Sequence, residues 1–223
     1  NINELPLSTE QILQRGELPQ ANVGSLIFES MQHRVDALAG QVKEQIKGGK
    51  SDPIEVALEL ENTKIEGWLN HIYLQKQVFY RSASIKAKDL IKGFIYHLVA
   101  QSMEQQVETL ILGLDKQVTF APISKTDADA LLLDWFELYK ALRNEPVAFF
   151  PVSGYEYVKS GGDIAKAMSK FSPQYIGRGE GENPYIRLTV QSLNDCQDEF
   201  IQWSDKLLAP LFAHAKESDH ASA

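Results

Sequence analysis

The chain has 223 residues, long enough to bury a core as one large domain or two small ones. With 43% hydrophobic and 23% charged residues it has globular composition, outside the range of disordered chains. A net charge of −8 argues against unaided grip on nucleic acid, which counterion release makes a property of basic surfaces. No apolar run approaches the roughly 20 residues of a membrane span, and no basic start with an apolar core marks a signal peptide. A single cysteine, Cys196, excludes an intrachain disulfide framework and fits a reducing, cytoplasmic compartment. The chain begins at Asn1 without methionine and reads as a piece of something longer.

Residues 1–22 are polar, with Pro6, Gly16 and Pro19, and predict a short helix and a loop. Ile27, Met31, Val35, Leu38, Val42 and Ile46 then form one apolar stripe at helical spacing. "KGGKSDP" ends that helix. "IEVALELE" (54–61) alternates strictly, and a turn at Asn62-Thr63 leads into a second strand, "KIEGWLNHIY". A two-residue turn there sets Glu55 opposite Asn70 and Leu58 opposite Gly67. One face would carry Ile54, Val56, Leu58, Leu60, Ile65, Leu69 and His71. The other would carry Glu55, Glu59, Glu61, Lys64, Glu66, Trp68 and Asn70. A further turn near Gln75-Lys76 would place Phe79 opposite Ile72 and Arg81 opposite Asn70.

Helical periodicity returns over 85–103. "VETLILGL" and "DKQVTFAP" predict a buried strand and its hairpin return. "SKTD" supplies an N-cap with an acid three residues on, opening a helix through Leu131, Trp135, Leu138 and Leu142. "PVAFFPV" reads as a short strand or extended link, "GGDIAKAMSKF" as a short helix, and "SPQYIGRGEGENP" as a glycine-rich loop. "YIRLTV" leads into a last helix over 193–216, where Pro210 predicts a kink. The order predicts an α/β domain: a mixed sheet flanked by helices.

"IEGWLNHIYLQKQVFYRSAS" (65–84) is laid out like a hairpin of the metal-dependent, restriction-endonuclease-like nucleases. In those an acid follows the glycine and an acid-x-lysine ends the next strand. Two carboxylates hold Mg²⁺ and the lysine orients the attacking water. Here the three places hold Asn70, Phe79 and Arg81. Asn70 offers only a neutral oxygen, Phe79 no ligand, and Arg81 does not readily release a proton. The expectation is a degenerate site, with Trp68 and Phe79 crowding the former pocket. Glu55, Glu59 and Glu66 lie near enough in the assumed register for a rescued metal site. The alternative is a solvated or ion-paired sheet face on which Glu55 meets Arg81.

Other motifs carry less. "GRGEGENP" lacks the lysine and hydroxyl residue of a P-loop and reads as a turn-rich loop. Histidines 33, 71, 97, 214 and 220 show no metal-ligand spacing; His71 and His97 suit core or boundary positions. Cys196 has no histidine nearby in sequence, and Ser153-Gly154 lacks the nucleophile-elbow frame. No cofactor or metal is expected. Arg81, Lys86, Lys88 and Lys92 form a basic group at the end of the hairpin and on the next helix. Lys159, Lys166, Lys170 and Arg178 form another. Each is a solvated face or a phosphate track.

"GELP" (16–19), "IEGWL" (65–69), "SKFSPQYIGRGEGENPYIRL" (169–188) and "LLAPLF" (207–212), in that order, resemble the C-terminal region of RecC. RecC is the gamma chain of exodeoxyribonuclease V, the bacterial RecBCD complex. The likeness runs from about Gln14 to Ala213. It implies a non-catalytic subunit region with a restriction-endonuclease-like (PD-(D/E)XK) core that has lost its active site. It also implies RecB and RecD as partners, and a place beside the DNA duplex end or fork in double-strand break repair and recombination. The residues would divide into a helical lead-in (1–50), a nuclease-like core (51–190), a C-terminal helix on that core (191–216) and a flexible tail (217–223). Arg81, Lys86, Lys88 and Lys92 become candidate DNA contacts. The other reading is an interaction module that touches no DNA.

Overall fold

The computed structural model describes residues 9–16, 18–19, 22–61, 63–172 and 179–219. The chain divides into two compact units, residues 1–44 and 45–223. The first holds α1 (Thr9–Gln14) and all but the last residue of α2 (Asn22–Gln45). The stripe read from α2 behaves unevenly: Leu38 and Val42 are buried, whereas Ile27, Met31 and Val35 are exposed, as are Val23 and Leu26 beside it.

In the second unit a two-stranded ribbon, β1 (Ile54–Leu60) and β2 (Thr63–Leu69), precedes a five-stranded sheet. That sheet runs in the order β3 (Ile72–Tyr73), β4 (Lys76–Tyr80), β5 (Glu108–Leu112), β6 (Lys116–Phe120), β7 (Ala215–Asp219). β4 and β5 are parallel and joined through α3 (Ala87–Ser102); the other neighbours are antiparallel. Such a crossover helix must cover one face of its sheet. α3 does so with Leu90, Phe94 and Leu98 at or near zero exposure. Gly93 brings it close: a Cβ there would lie 2.4 Å from Ile111 Cδ1 on β5. α4 (Lys125–Asn144) and α8 (Gln197–His214) pack on α3 and complete the main core. Ser124 caps α4, accepting from the Asp127 amide at 3.1 Å. A second core gathers Phe150, Tyr157, Ala167, Phe171, Leu193 and Phe200 around α5 (Pro151–Lys159) and α6 (Ile164–Phe171). The fold is mixed α/β, with sheets flanked by helices.

The structure corrects several sequence expectations. Both predicted registers are displaced by two residues. Glu55 pairs with Trp68 and Leu58 with Ile65, and Ile72 pairs with Gln77 rather than Phe79. The cause lies in the turns. Leu60 faces Thr63 after Glu61 takes φ 51°, and Leu74 takes φ 56° before Lys76 pairs with Tyr73. Neither glutamate nor leucine advertises a left-handed backbone. A shift of two preserves side-chain parity, so the faces survive: Val56, Leu58, Leu60 and Leu69 are buried and Glu55, Glu59, Glu66 and Trp68 exposed. Of the predicted turn, Asn62 lies outside the described residues and Thr63 belongs to β2.

The predicted second strand breaks at Asn70-His71, where His71 takes φ 63°, dividing β2 from β3. Of the two histidines expected at core or boundary positions, His71 is exposed and His97 is fully buried. "PVAFFPV" is no strand: α5 begins at Pro151, because proline suits the first helical position. "YIRLTV" gives the short helix α7 (Pro184–Arg187). Residues 193–216 divide into a 3-10 turn (Leu193–Cys196), α8 and the start of β7, with Pro210 inside α8. Residues 217–219, expected in a flexible tail, pair with β6 as an edge strand whose Glu217 meets Lys116 Nζ at 2.6 Å. Charged side chains suit an edge that must not recruit another strand.

Candidate nucleic-acid interface at the β3–β4 hairpin

Gln77 and Phe79 of β4 and Arg81 just beyond it connect to α3 as three rungs, from core to surface. The innermost is polar. Gln77, Thr109 and His97 are all fully buried. The Thr109 hydroxyl donates to Gln77 Oε1 at 3.4 Å, which leaves its oxygen to accept from His97 Nδ1 at 3.0 Å. His97 also stacks on Phe120, with ring centroids 5.7 Å apart. Burial lowers its pKa to about 4, against a smaller upward pull from the Ala121 backbone, and nearby His214 lowers it further. The histidine is a neutral hydrogen-bonding core residue at physiological pH.

The middle rung is Phe79. Its ring meets Tyr96 of α3 edge-on at 5.5 Å and His71 at 6.0 Å. The outer rung is Arg81, whose Nη1 donates to Asp89 Oδ2 at 2.7 Å, with both side chains about three-quarters buried. The same carboxylate oxygen accepts from the Lys86 amide at 2.9 Å, so Asp89 closes the first turn of α3 and holds Arg81 together. Asp89 carried no signal in the sequence reading, although its position three residues after Lys86 is a capping position.

Asn70 touches the innermost rung through its backbone and not its side chain. It sits at the strand break, where its backbone carbonyl accepts from Gln77 Nε2 at 3.4 Å and its own amide reaches the Trp68 carbonyl at 3.5 Å. Each of the three has its own partner: the Trp68 carbonyl for the Asn70 amide, Tyr96 and His71 for Phe79, and Asp89 for Arg81. Trp68, expected to crowd the pocket, is 58% exposed on the opposite face of the ribbon. Glu55 pairs across from Trp68, and the cation expected to meet it is engaged by Asp89. Among the described residues no three His, Cys, Asp or Glu side chains gather as a metal-holding group.

The basic group also separates. At 100° per residue on α3, Asp89, Gly93 and Tyr96 face β4, while Lys88, Ile91, Lys92 and Ile95 lie on the adjoining face. Lys86, Lys88 and Lys92 are exposed, and Lys92 Nζ lies 5.9 Å from the Tyr96 ring centre. Lys88, Ile91, Lys92, Ile95 and Tyr96, with Pro151 of α5, line a groove of about 330 Å³ that the sequence did not reveal. In the second basic group Lys159, Lys166 and Lys170 are exposed on α5 and α6, and Arg178 lies outside the described residues.

The glycine-rich motif is structural where described. Glu180 accepts from the Val152 and Ser153 amides at 2.9 and 2.6 Å and from the Ser153 hydroxyl at 2.7 Å, capping α5 from a distant loop. Gly181 lies so close to Phe171 that a Cβ would fall 2.5 Å from its ring. Cys196 is half-buried, its thiol pKa raised by burial and by Glu199 and Asp195, which suppresses thiolate chemistry.

No helix among the described residues is long and apolar enough to cross a membrane. A search of curated proteins gives no match. The family model described as the RecC C-terminal domain matches residues 4–162, which include α3 and the whole hairpin. The motif stretches at 169–188 and 207–212 lie beyond the matched residues. Covering well over half of the chain, that match makes it a member of the RecC C-terminal domain family.

Proposed function

We propose that this chain is the non-catalytic C-terminal domain of the RecC subunit of the cytoplasmic RecBCD helicase–nuclease, with RecB and RecD as partners. In that role it is a scaffold and a guide for DNA at the fork. Its core is a PD-(D/E)XK nuclease frame, supported by a hairpin that leads into the parallel β4–α3–β5 crossover. One observation carries the non-catalytic reading: the positions of the second acid and the lysine are occupied by packing. Phe79 packs on the Tyr96 ring, and Asp89 holds Arg81 through one guanidinium nitrogen. A water-orienting lysine has no counterpart there, since an arginine bound to a carboxylate keeps its proton. Arg81 and exposed Lys86, at the start of α3, are the proposed phosphate contacts.

The test uses the complex reconstituted with RecB and RecD and a forked duplex. Lys86→Glu is expected to weaken binding and to make the slope of log affinity against log salt shallower by about 1. An unchanged slope removes Lys86 from the track. Calorimetric titration with Mg²⁺ or Mn²⁺ tests the rest: specific binding that disappears in Glu55→Gln overturns the non-catalytic reading. The exposed apolar residues of α2 favour a second reading, an interaction module alone. It holds if the complex assembles normally and no part of this chain crosslinks to the fork.

A further inference from the structure

The groove between α3 and the start of α5 is explained by neither the hairpin nor a phosphate track. Its lining combines half-buried Ile91, Ile95 and Tyr96 and Pro151 of α5 with exposed Lys88 and Lys92, one helical turn apart. Its volume of about 330 Å³ stands at the small end of ligand pockets, roughly 300 to 1,000 Å³. Among the described residues neither lysine is in an ion pair, although the chain as a whole carries −8. Two uncompensated cations therefore flank a patch of apolar surface.

We infer that this groove binds a short, extended, acidic peptide segment of a partner protein. One apolar side chain sits on Ile91 and Ile95, and carboxylates on either side of it meet Lys88 and Lys92. Charge complementarity selects the flanks, and burial of the apolar side chain supplies the anchor. A nucleic-acid strand suits the groove less well. Base stacking needs an open aromatic face, whereas Tyr96 meets Phe79 edge-on, has the Lys92 ammonium over its ring and stands beside aliphatic neighbours. A duplex would present phosphates to the lysines and nothing apolar to the isoleucines. The inference does not depend on the DNA role proposed for Arg81 and Lys86.

Fluorescence anisotropy on the full-length protein tests it, with a fluorescein-labelled Asp-Leu-Asp-Phe-Asp peptide, its Asn-Leu-Asn-Phe-Asn counterpart and a labelled oligothymidylate as probes. The acidic peptide is expected to bind saturably and the neutral one not. Combined Lys88→Glu and Lys92→Glu substitutions should weaken the acidic peptide about tenfold. Ile95→Gln should weaken it with the lysines intact, and Lys50→Glu controls for net charge. If circular dichroism shows that charge reversal disturbs folding, Lys88→Gln with Lys92→Gln takes its place. No binding of the acidic peptide, or equal binding by wild type and both variants, overturns the inference. So does oligothymidylate binding that the same substitutions abolish while the peptide fails to compete.

Discussion

The hairpin around Asn70–Arg81 and the segment around Glu180 look alike in sequence: each places charged residues and glycines where chemistry is usual. In the fold both are consumed by packing, but in different ways. The hairpin is held from behind, its β4 face joined to α3 by a buried polar rung, an aromatic rung and one ion pair. The hydrogen bonds that tie the Glu180 segment to α5 converge on one carboxylate, which receives two helix-terminal amides and a hydroxyl. The first arrangement distributes its stabilisation over many contacts; the second concentrates it in one side chain. A likeness to a catalytic motif therefore has meaning only once the partners of its charges are known.

The largest expected effect probes the buried rung of the hairpin. His97 titrates near 4 in the folded protein against about 6.5 unfolded, so the unfolded chain binds the extra proton between those values. Its neutral form contributes fully above pH 6.5, and stability falls as pH drops from 6.5 toward 4, by up to about 3 kcal/mol. Urea midpoints at pH 7 and pH 4.5 read this, and His97→Gln should flatten that part of the profile. Next comes the concentrated side of the comparison. Glu180→Ala leaves the first amides of α5 without their cap and is expected to cost about 1 to 2 kcal/mol in urea unfolding. The smallest effect is at the distributed side: Arg81→Ala, with Asp89 still capping α3, should cost about 1 kcal/mol. A loss at Arg81 exceeding that at Glu180 would reverse the contrast.

Much of the fold was legible because periodicity is a direct print of burial. The strict alternation of 54–60 identified the buried face of the ribbon, and "SKTD" located the start of α4. Register was not legible, because it depended on left-handed backbone at Glu61 and Leu74, residues chosen for other reasons. Of the site, Phe79 and Arg81 were visible as departures from a catalytic pattern, but their partners were not. Asp89, Tyr96 and Glu180 act across the fold, Glu180 on residues 27 and 28 positions earlier, and one sequence without the fold cannot pair them. The basic group misled in the opposite sense: close together in sequence, it divides in the fold, with Arg81 held by Asp89 and Lys88 and Lys92 lining the groove.

The edge strand β7 has a consequence for the order of events in synthesis. Its Glu217 meets Lys116 across 101 positions of sequence, so β6 remains an open edge until nearly the whole of this stretch has been made. Contacts of such separation form late and slowly. A nascent chain that has already folded β4, α3, β5 and β6 must therefore carry β6 with one edge open while α4 to α8 emerge. In that interval β6 is the surface most exposed to wrong partners, and a chaperone or a neighbouring subunit would have its effect there.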